Sequence, residues 1–246
     1  MIARRGLGWL AALSCAAFAC GAPAFDLGDY EDDEPSLYGK EDGGGDAQKD
    51  SGPAAVADTG APVDAGTAPA TNPTSTTAGL TEQQIAQKIV ASKKIKSLPY
   101  PPDYYPQIVD IANGKTVPNC GIDIRILKLI FKLTEKFDSV GISDINRKCT
   151  GVLVGAGTAS AHYINGGGHA VDFWRLNGTN LNGSNAIDIE MLNYIAKFMP
   201  TGTRVGQANC RSSAGKSVNL PGITQFSDTC NHQHVDVGTT NSPFKD

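Results

Sequence analysis

The chain has 246 residues and a formal net charge of −4, a total that conceals two regions of opposite charge. Residues 26–79 contain twelve acidic and two basic residues, whereas residues 80–246 contain seventeen basic and thirteen acidic ones. This mildly basic region is compatible with an anionic substrate or with an ordinary mixed surface, but it is far less basic than a typical nucleic-acid-binding domain, and we expect no nucleic-acid partner.

The first 24 residues have the pattern of an export signal. Two early arginines provide positive charge, the apolar segment after them is short for a membrane span, and small residues follow. Cleavage after Ala19 would leave Cys20 as the first residue, open to lipid attachment as in bacterial lipoproteins, whereas cleavage after Ala24 would release a free protein. We expect a signal peptide or lipoprotein signal over residues 1–24. The protein is then secreted or held in the cell envelope, extracytoplasmic in either case.

Residues 25–79 are rich in Gly, Ala, Pro, Asp, Ser and Thr. The segment from Asp50 to Gly79 has no aromatic residue and few large aliphatic ones, so it cannot bury enough apolar surface to offset its ordering entropy. We expect a disordered acidic linker, which its own negative charge keeps extended.

Residues 80–246 are long enough for one domain with its own core, and we expect this domain to be a monomer. It contains four of the six cysteines, an even number that favours disulfides in an exported protein. Four cysteines allow three pairings. Because short loops close most readily, we expect the pairs Cys120–Cys149 and Cys210–Cys230.

Helices are predicted from apolar periodicity and capping residues. Thr81 and Gln84 form a capping box at the start of EQQIAQKIVAS, and a proline-rich segment ends that helix. YPQIVDIANG is predicted to be a short helix that ends at Gly114. Residues 122–137 have the strongest amphipathic pattern, and Ser184 is a candidate cap for AIDIEMLNYIAKFM.

Strands are predicted in DSVGISDINRK, HAVDFWRL, TRVGQAN and HQHVDVG. Helices and strands mix without a strict βαβ alternation. We therefore expect an α+β fold with a central, mainly antiparallel sheet flanked by helices.

All four histidines lie in two short segments, residues 160–174 and 231–238. Alternate side chains of a strand share a face, so His232, His234 and Asp236 are predicted to face the same side.

The first segment offers two more metal ligands. His169 and Asp172 face opposite sides of one predicted strand, whereas His162 precedes a glycine-rich turn that can return it over Asp172. We therefore predict a metal group of His162, Asp172 and His234. Two imidazoles and a carboxylate, with a fourth position open, compose a catalytic zinc site, and we expect this zinc site to lie on the sheet. In the competing interpretation, His162 and Asp172 only hydrogen-bond each other in a loop.

These segments resemble the two signatures of the LAS-type zinc peptidases, which include D-alanyl-D-alanine carboxypeptidases and L-alanyl-D-glutamate endopeptidases of bacterial cell walls. The first signature is Ser-x-His followed by Gly-x-Ala-x-Asp, and the residues that match it are Ser160, His162, Gly168, Ala170 and Asp172. The family has about six residues between the histidine and the aspartate, whereas this chain has nine, with the extra ones in residues 165–167. The second signature is matched in its His-x-His form by His232 and His234, and the resemblance spans residues 105–238.

The resemblance implies a zinc-dependent peptidase that hydrolyses peptidoglycan stem peptides through a metal-activated water. It implies that His162, Asp172 and His234 bind Zn²⁺ and that His232 lies beside the water as the base.

Other residues near the signatures have two interpretations each. Arg147 either faces the substrate or the developing oxyanion, as an arginine of the family often does, or is a solvated residue at a strand end. Some family members use a glutamate three residues before the last ligand, but Asn231 occupies that position here and cannot be a base. Ser160 either orients a ligand or caps a turn, Asp236 either supports a ligand or faces solvent, and His169 is structural or a rim contact.

Two alternatives stay open. Lysostaphin-type peptidases also end in His-x-His, but their first signature is His-x-x-x-Asp, whereas His169 and Asp172 form only His-x-x-Asp. A non-catalytic metal- or cell-wall-binding extracellular module would keep the fold without turnover, and the missing glutamate favours it. An extracellular domain without metal would not explain why the histidines cluster.

Overall fold

A computed structural model of the protein describes residues 76–246. The predicted signal, the lipid attachment at Cys20 and the linker up to residue 75 lie outside the described residues, and the predicted domain boundaries stay predictions. At the start of the described part, Thr77 is buried and its hydroxyl donates a hydrogen bond to the Asp246 carboxylate at the other end of the chain.

The described residues contain six α-helices: α1 Glu82–Ser92, α2 Tyr105–Ala112, α3 Ile124–Lys136, α4 Arg147–Thr150, α5 Ala186–Ile195 and α6 Ala208–Ser213. The predicted capping box of α1 is confirmed, because the Thr81 side chain accepts from the backbone of Gln84 and the Gln84 side chain accepts from that of Thr81. The predicted cap of α5 is wrong by one residue. The Asn185 side chain accepts from the Asp188 backbone, while the Ser184 hydroxyl bonds to Asn182 instead.

Within the same described part, the strands are β1 Ile95–Ser97, β2 Val140–Asp144, β3 Ala170–Leu176, β4 Thr179–Asn180, β5 Arg204–Val205, β6 Thr224–Gln225 and β7 Gln233–Asp236. They form one sheet in the order β1-β2-β3-β7-β5-β6, with β4 paired to β3. The β1–β2 and β5–β6 pairs are parallel and the other four pairs are antiparallel. The predicted α+β class with a mainly antiparallel sheet flanked by helices is confirmed.

The strand predicted in DSVGISDINRK ends earlier than expected. β2 stops at Asp144, and Asn146 then caps α4 by accepting from the Cys149 backbone N–H. Arg147 is therefore the first residue of a short helix rather than a strand residue.

The two faces of the sheet differ in polarity. Val171 and Phe173 of β3 and Val235 of β7 are fully buried in the core that also takes the apolar side of α3. Because strand side chains alternate, Asp172 and His234 lie on the opposite face, where they are direct cross-strand partners. The candidate site forms on this polar face.

Both expected disulfides are present. Cys120–Cys149 ties the segment before α3 to α4, and Cys210–Cys230 ties α6 to the segment before β7. Disulfides are typical of extracytoplasmic proteins. Among the helices of residues 76–246, none has the length and hydropathy that crossing a bilayer requires.

Candidate metal centre

Three separate segments supply the central side chains of the site. Asp172 comes from β3 and His234 from β7, which the sheet register places opposite each other. His162 comes from the turn after a short 3₁₀ helix at Gly157–Ala159. The His162 carbonyl accepts from the Arg147 N–H at 3.0 Å, which holds this turn against the start of α4.

The glycine-rich turn returns the chain from His162 to β3. A short 3₁₀ helix, Ile164–Gly166, begins the turn, and Gly168, with φ +74°, ends it. A Cβ atom on Gly168 would lie 2.3 Å from the Gly121 carbonyl oxygen, so only glycine permits this close approach. The extra residues of this segment therefore form a packed turn, and His162 returns over Asp172 as predicted.

The predicted ligand atoms lie within hydrogen-bond range of one another. His234 Nδ1 is 2.7 Å from Asp172 Oδ1, and His162 Nε2 is 3.3 Å from each of these two atoms. All three residues are buried. Two imidazole nitrogens and a carboxylate oxygen so arranged could hold a metal ion.

The other nitrogen of each ring faces an acceptor. His162 Nδ1 lies 2.8 Å from the Ile145 carbonyl, and His234 Nε2 lies 3.0 Å from Asp236 Oδ2. Such contacts fix the ring orientation of metal-binding histidines. Asp236 is fully buried and also bonds to Arg204 at 3.0 to 3.1 Å, so it does not face solvent.

His232 lies just before β7, at the edge of this group. Its Nε2 atom is 3.7 Å from Asp172 Oδ1 and 3.4 Å from Asp228 Oδ2. Its Nδ1 atom is 2.7 Å from Asn231 Oδ1, so the asparagine orients the ring. His232 therefore turns one nitrogen towards the predicted ligands.

Arg147 also borders the group, but it is not a solvated arginine. Its side chain is 12 % exposed. Nε donates to the Asp144 carboxylate, Nη1 donates to the Val154 carbonyl at 3.1 Å, and Nη2 lies 3.6 Å from Asp172 Oδ2. The guanidinium thus links two carboxylates of the site.

The carboxylates govern the proton affinities. Burial alone lowers the pKa of His234, but Asp172 and Asp236 outweigh burial and raise this pKa to about 10. Burial alone raises the pKa of Asp172, but the His162 and His234 imidazoles hold it well below its usual value. The proton between His234 Nδ1 and Asp172 therefore lies on the imidazole, and a metal ion that binds Nδ1 has to replace it.

His169 lies outside the group. Its Nδ1 atom is 3.0 Å from Asp123 Oδ2. Because Asp123 also caps α3 by accepting from the Arg125 N–H, this contact holds the start of β3 against the start of α3. Ser160 Oγ accepts from the His162 N–H at 3.3 Å and so helps to hold the turn that carries His162.

Sequence reasoning missed three residues of the site. Asp228 forms a second group of ligand atoms with His232 and His234, and its spacing four residues before His232 was the available signal. Asp144 lies three residues before its partner Arg147, a weak signal. Nothing in the sequence indicates the third residue, the fully buried Gln207. Its Oε1 atom accepts from the His234 N–H at 3.0 Å, and its Nε2 atom lies 3.1 Å from His232 Nε2.

A cavity of about 510 Å³ opens beside the predicted ligands, a size typical of ligand sites. Its lining includes Arg147, Ala156, Arg204, Phe226, Asp228 and His232. Comparison of the chain with family models, curated proteins and solved structures found no match. The geometry of this centre, together with the resemblance in its two signatures, is therefore the basis for a functional proposal.

Proposed function

We propose that the protein is a zinc-dependent peptidase of the LAS type that hydrolyses peptidoglycan stem peptides. The observation that carries the proposal is the buried group of His162, Asp172 and His234, open to a cavity with His232 beside it. The two signatures support the substrate class by resemblance. The main alternative, a non-catalytic metal- or cell-wall-binding module, is favoured by Asn231 in place of the glutamate that some relatives use.

The donor set supports zinc as the metal. A tetrahedral zinc site with bonds of about 2.0–2.1 Å has ligand atoms about 3.3 Å apart. Two of the three separations here are 3.3 Å. The third, between His234 Nδ1 and Asp172 Oδ1, is 2.7 Å, which is shorter than this and within hydrogen-bond range. Two imidazoles and one carboxylate also match the ligands of catalytic zinc.

Zinc held there would polarise the peptide carbonyl and lower the pKa of a water molecule to about 7. His232 Nε2 faces this position and would accept the proton of the attacking water, then return it to the leaving nitrogen. Asn231 cannot take a proton, but its contact with Nδ1 keeps Nε2 directed at the group.

Arg147 contributes positive charge next to Asp172. Because Asp144 and the Val154 carbonyl hold its guanidinium, the position of this charge is set before substrate binds. Such a preorganised charge stabilises a developing oxyanion without reorganisation during the reaction. The role of Arg147 is thus electrostatic, and its pairing with Asp172 also orients a ligand.

The two disulfides support an extracytoplasmic location. The N-terminal pattern favours export, either free or with a lipid on Cys20. In the second case the acidic linker would let the domain reach cell-wall peptides from the membrane surface. We propose that the protein works there as a monomer.

Metal analysis of the oxidised full-length protein tests the proposal. We expect about one zinc per chain in the wild type, because its three ligand atoms already converge. His234→Ala should lose the metal. The matched control His169→Ala should keep it, because His169 contacts Asp123 instead of the group. A wild-type protein that takes up no zinc when zinc is supplied would falsify the proposal.

Digestion of isolated cell walls then separates the enzyme from the binding module. His232→Ala should retain zinc and lose activity by about 10²–10⁴-fold, the usual contribution of a general base. Zinc retention by a wild-type protein that digests no wall material would instead favour the non-catalytic module.

A further inference from the structure

The predicted ligands lie between two cavities. One, of about 510 Å³, extends towards β5 and is called here the β5-side cavity. The other, of about 250 Å³, extends towards β1 and is called the β1-side cavity. Four residues line both cavities, namely Arg147, Asp172, Thr229 and His232. The predicted metal ligand Asp172 and the candidate base His232 thus lie in the wall between the two cavities.

The sheet order sets the two cavities on opposite sides of the group. The β1-side cavity is lined by Tyr100, which follows β1, and by Trp174 of β3. The β5-side cavity is lined by Arg204 of β5 and by Phe226, which follows β6. Because β3 and β7 lie between β2 and β5 in the sheet, the group that these two strands carry has one cavity on each flank.

The arginines in the cavity walls are already paired with carboxylates. Arg204 bonds to the buried Asp236 at 3.0 to 3.1 Å, and Arg147 bonds to Asp144 and lies beside Asp172. A peptidase that removes a terminal residue has to hold the terminal carboxylate, for which an arginine fork is the best partner. Both guanidiniums are therefore held by acceptors of the protein itself, and neither has this fork free to grip the carboxylate of a substrate.

Each cavity instead presents an exposed apolar side chain to a bound peptide. Tyr100, in the wall of the β1-side cavity, is 62 % exposed, and Val154, in the wall of the β5-side cavity, is 51 % exposed. Exposed apolar residues beside a polar reacting centre provide binding energy for substrate groups that do not react.

We propose that the substrate peptide passes through both cavities and that the protein cleaves internal peptide bonds, as an endopeptidase. In the reaction, water adds its hydroxyl to the carbonyl carbon and a proton to the leaving nitrogen as the C–N bond breaks. Each product then retains residues that occupied one cavity. This inference rests on the proposed peptidase function and names the bond class within it.

A pair of stem pentapeptides distinguishes the two kinds of peptidase. One peptide has a free C-terminal carboxylate, the other a C-terminal amide, and the products of the zinc-loaded full-length protein are identified by mass spectrometry. We expect both peptides to be cut at the same internal bond, such as that between L-alanine and D-glutamate. Their kcat/KM values should agree within about threefold, because neither arginine of the cavity walls has its fork free to bind the C-terminal carboxylate.

If only the peptide with the free carboxylate were cut, by loss of its terminal D-alanine, the endopeptidase inference would be overturned and the peptidase proposal would stand. If the zinc-loaded protein cut neither peptide nor cell walls, the peptidase proposal would fail and the inference with it.

Variants of the two walls test whether both cavities are used. Tyr100→Ala and Val154→Ala should each lower kcat/KM for the amidated peptide about threefold to tenfold, the value of one apolar or aromatic contact. Val117→Ala is the matched control, since Val117 is also exposed but lines neither cavity, and it should have no effect. An effect of only one of the two wall variants would show a one-sided site and contradict the inference.

Discussion

At the scale of single residues, His234 connects proton binding to metal binding. Its ring lies between two buried carboxylates, Asp172 at Nδ1 and Asp236 at Nε2. These carboxylates stabilise the imidazolium more than burial destabilises it, which is why the pKa rises to about 10. The same carboxylates attract a metal ion, so the proton and the metal compete for His234 Nδ1.

We therefore predict that metal affinity rises with pH. Below about pH 10 the metal-free His234 carries a proton that must leave before Nδ1 can bind, so affinity should increase about tenfold per pH unit between pH 7 and 9. Competition with a chelator of known affinity at each pH measures this slope. His169→Ala should show the same slope, and a flat profile in the wild type would contradict the assignment.

The raised pKa has the opposite effect on the metal-free fold. A group whose pKa is higher in the folded state stabilises that state below its unfolded pKa, here about 6.5, and loses this contribution as the pH rises towards 10. Alkaline conditions thus weaken the metal-free fold while they strengthen metal binding.

At the scale of elements, the turn between His162 and β3 determines whether the ligands meet. Asn146 stabilises this turn, because its Nδ2 atom donates to the Gly121 carbonyl at 2.7 Å and to the Gly166 carbonyl at 3.3 Å. Gly168 lies against the same Gly121 carbonyl. At Gly167, against the Asn146 side chain, and at Gly168 the backbone therefore packs too closely for a Cβ atom, and glycine is a requirement of packing at these two positions.

Two glycine substitutions separate the cost of packing from that of backbone strain. Gly168→Ala should destabilise the protein by about 3 kcal/mol or more, because left-handed strain of about 1–2 kcal/mol adds to a clash with the Gly121 carbonyl. Gly178→Ala, where φ is +80° and no atom lies within 4 Å of the new Cβ, should cost the strain alone. Urea unfolding measures both values, and equal losses would contradict the packing argument.

At the scale of the whole molecule, the disulfides attach the outer segments of the site to helices. Cys149 lies in α4, two residues after Arg147, and Cys230 lies two residues before His232. Residues that are far apart in the chain and border one cavity are therefore held by covalent links outside the sheet. Closing such loops lowers the entropy of the unfolded chain.

Each disulfide should therefore contribute to stability. The loops close over 29 and 20 residues, for which chain entropy gives about 3.5 kcal/mol per bond. Replacing Cys210 and Cys230 together by serine should lower the free energy of unfolding by about this amount, and the matched replacement of Cys120 and Cys149 should do the same. Guanidinium unfolding of the two double variants checks this, and unchanged midpoints would contradict it.

Part of this molecule is determined by local sequence alone. The Thr81 capping box, the apolar stripe of α3 and the alternation of β3 and β7 each depend on residues close together in the chain, so the fold class followed from them. The meeting of His162, Asp172 and His234 was also accessible, because strand alternation and the glycine turn restrict where these side chains can point.

Tertiary structure alone decided the rest. β1, β4 and β6 have only two or three residues, too few for a periodic signal, and they are strands because a neighbouring strand pairs with them. Asp144 contacts His162 and Gln207 contacts His234, and folding alone brings each of these pairs together. The β1-side and β5-side cavities likewise form only in the folded chain. Spacing along the chain reports local conformation, whereas these contacts exist only once the sheet has assembled around β3.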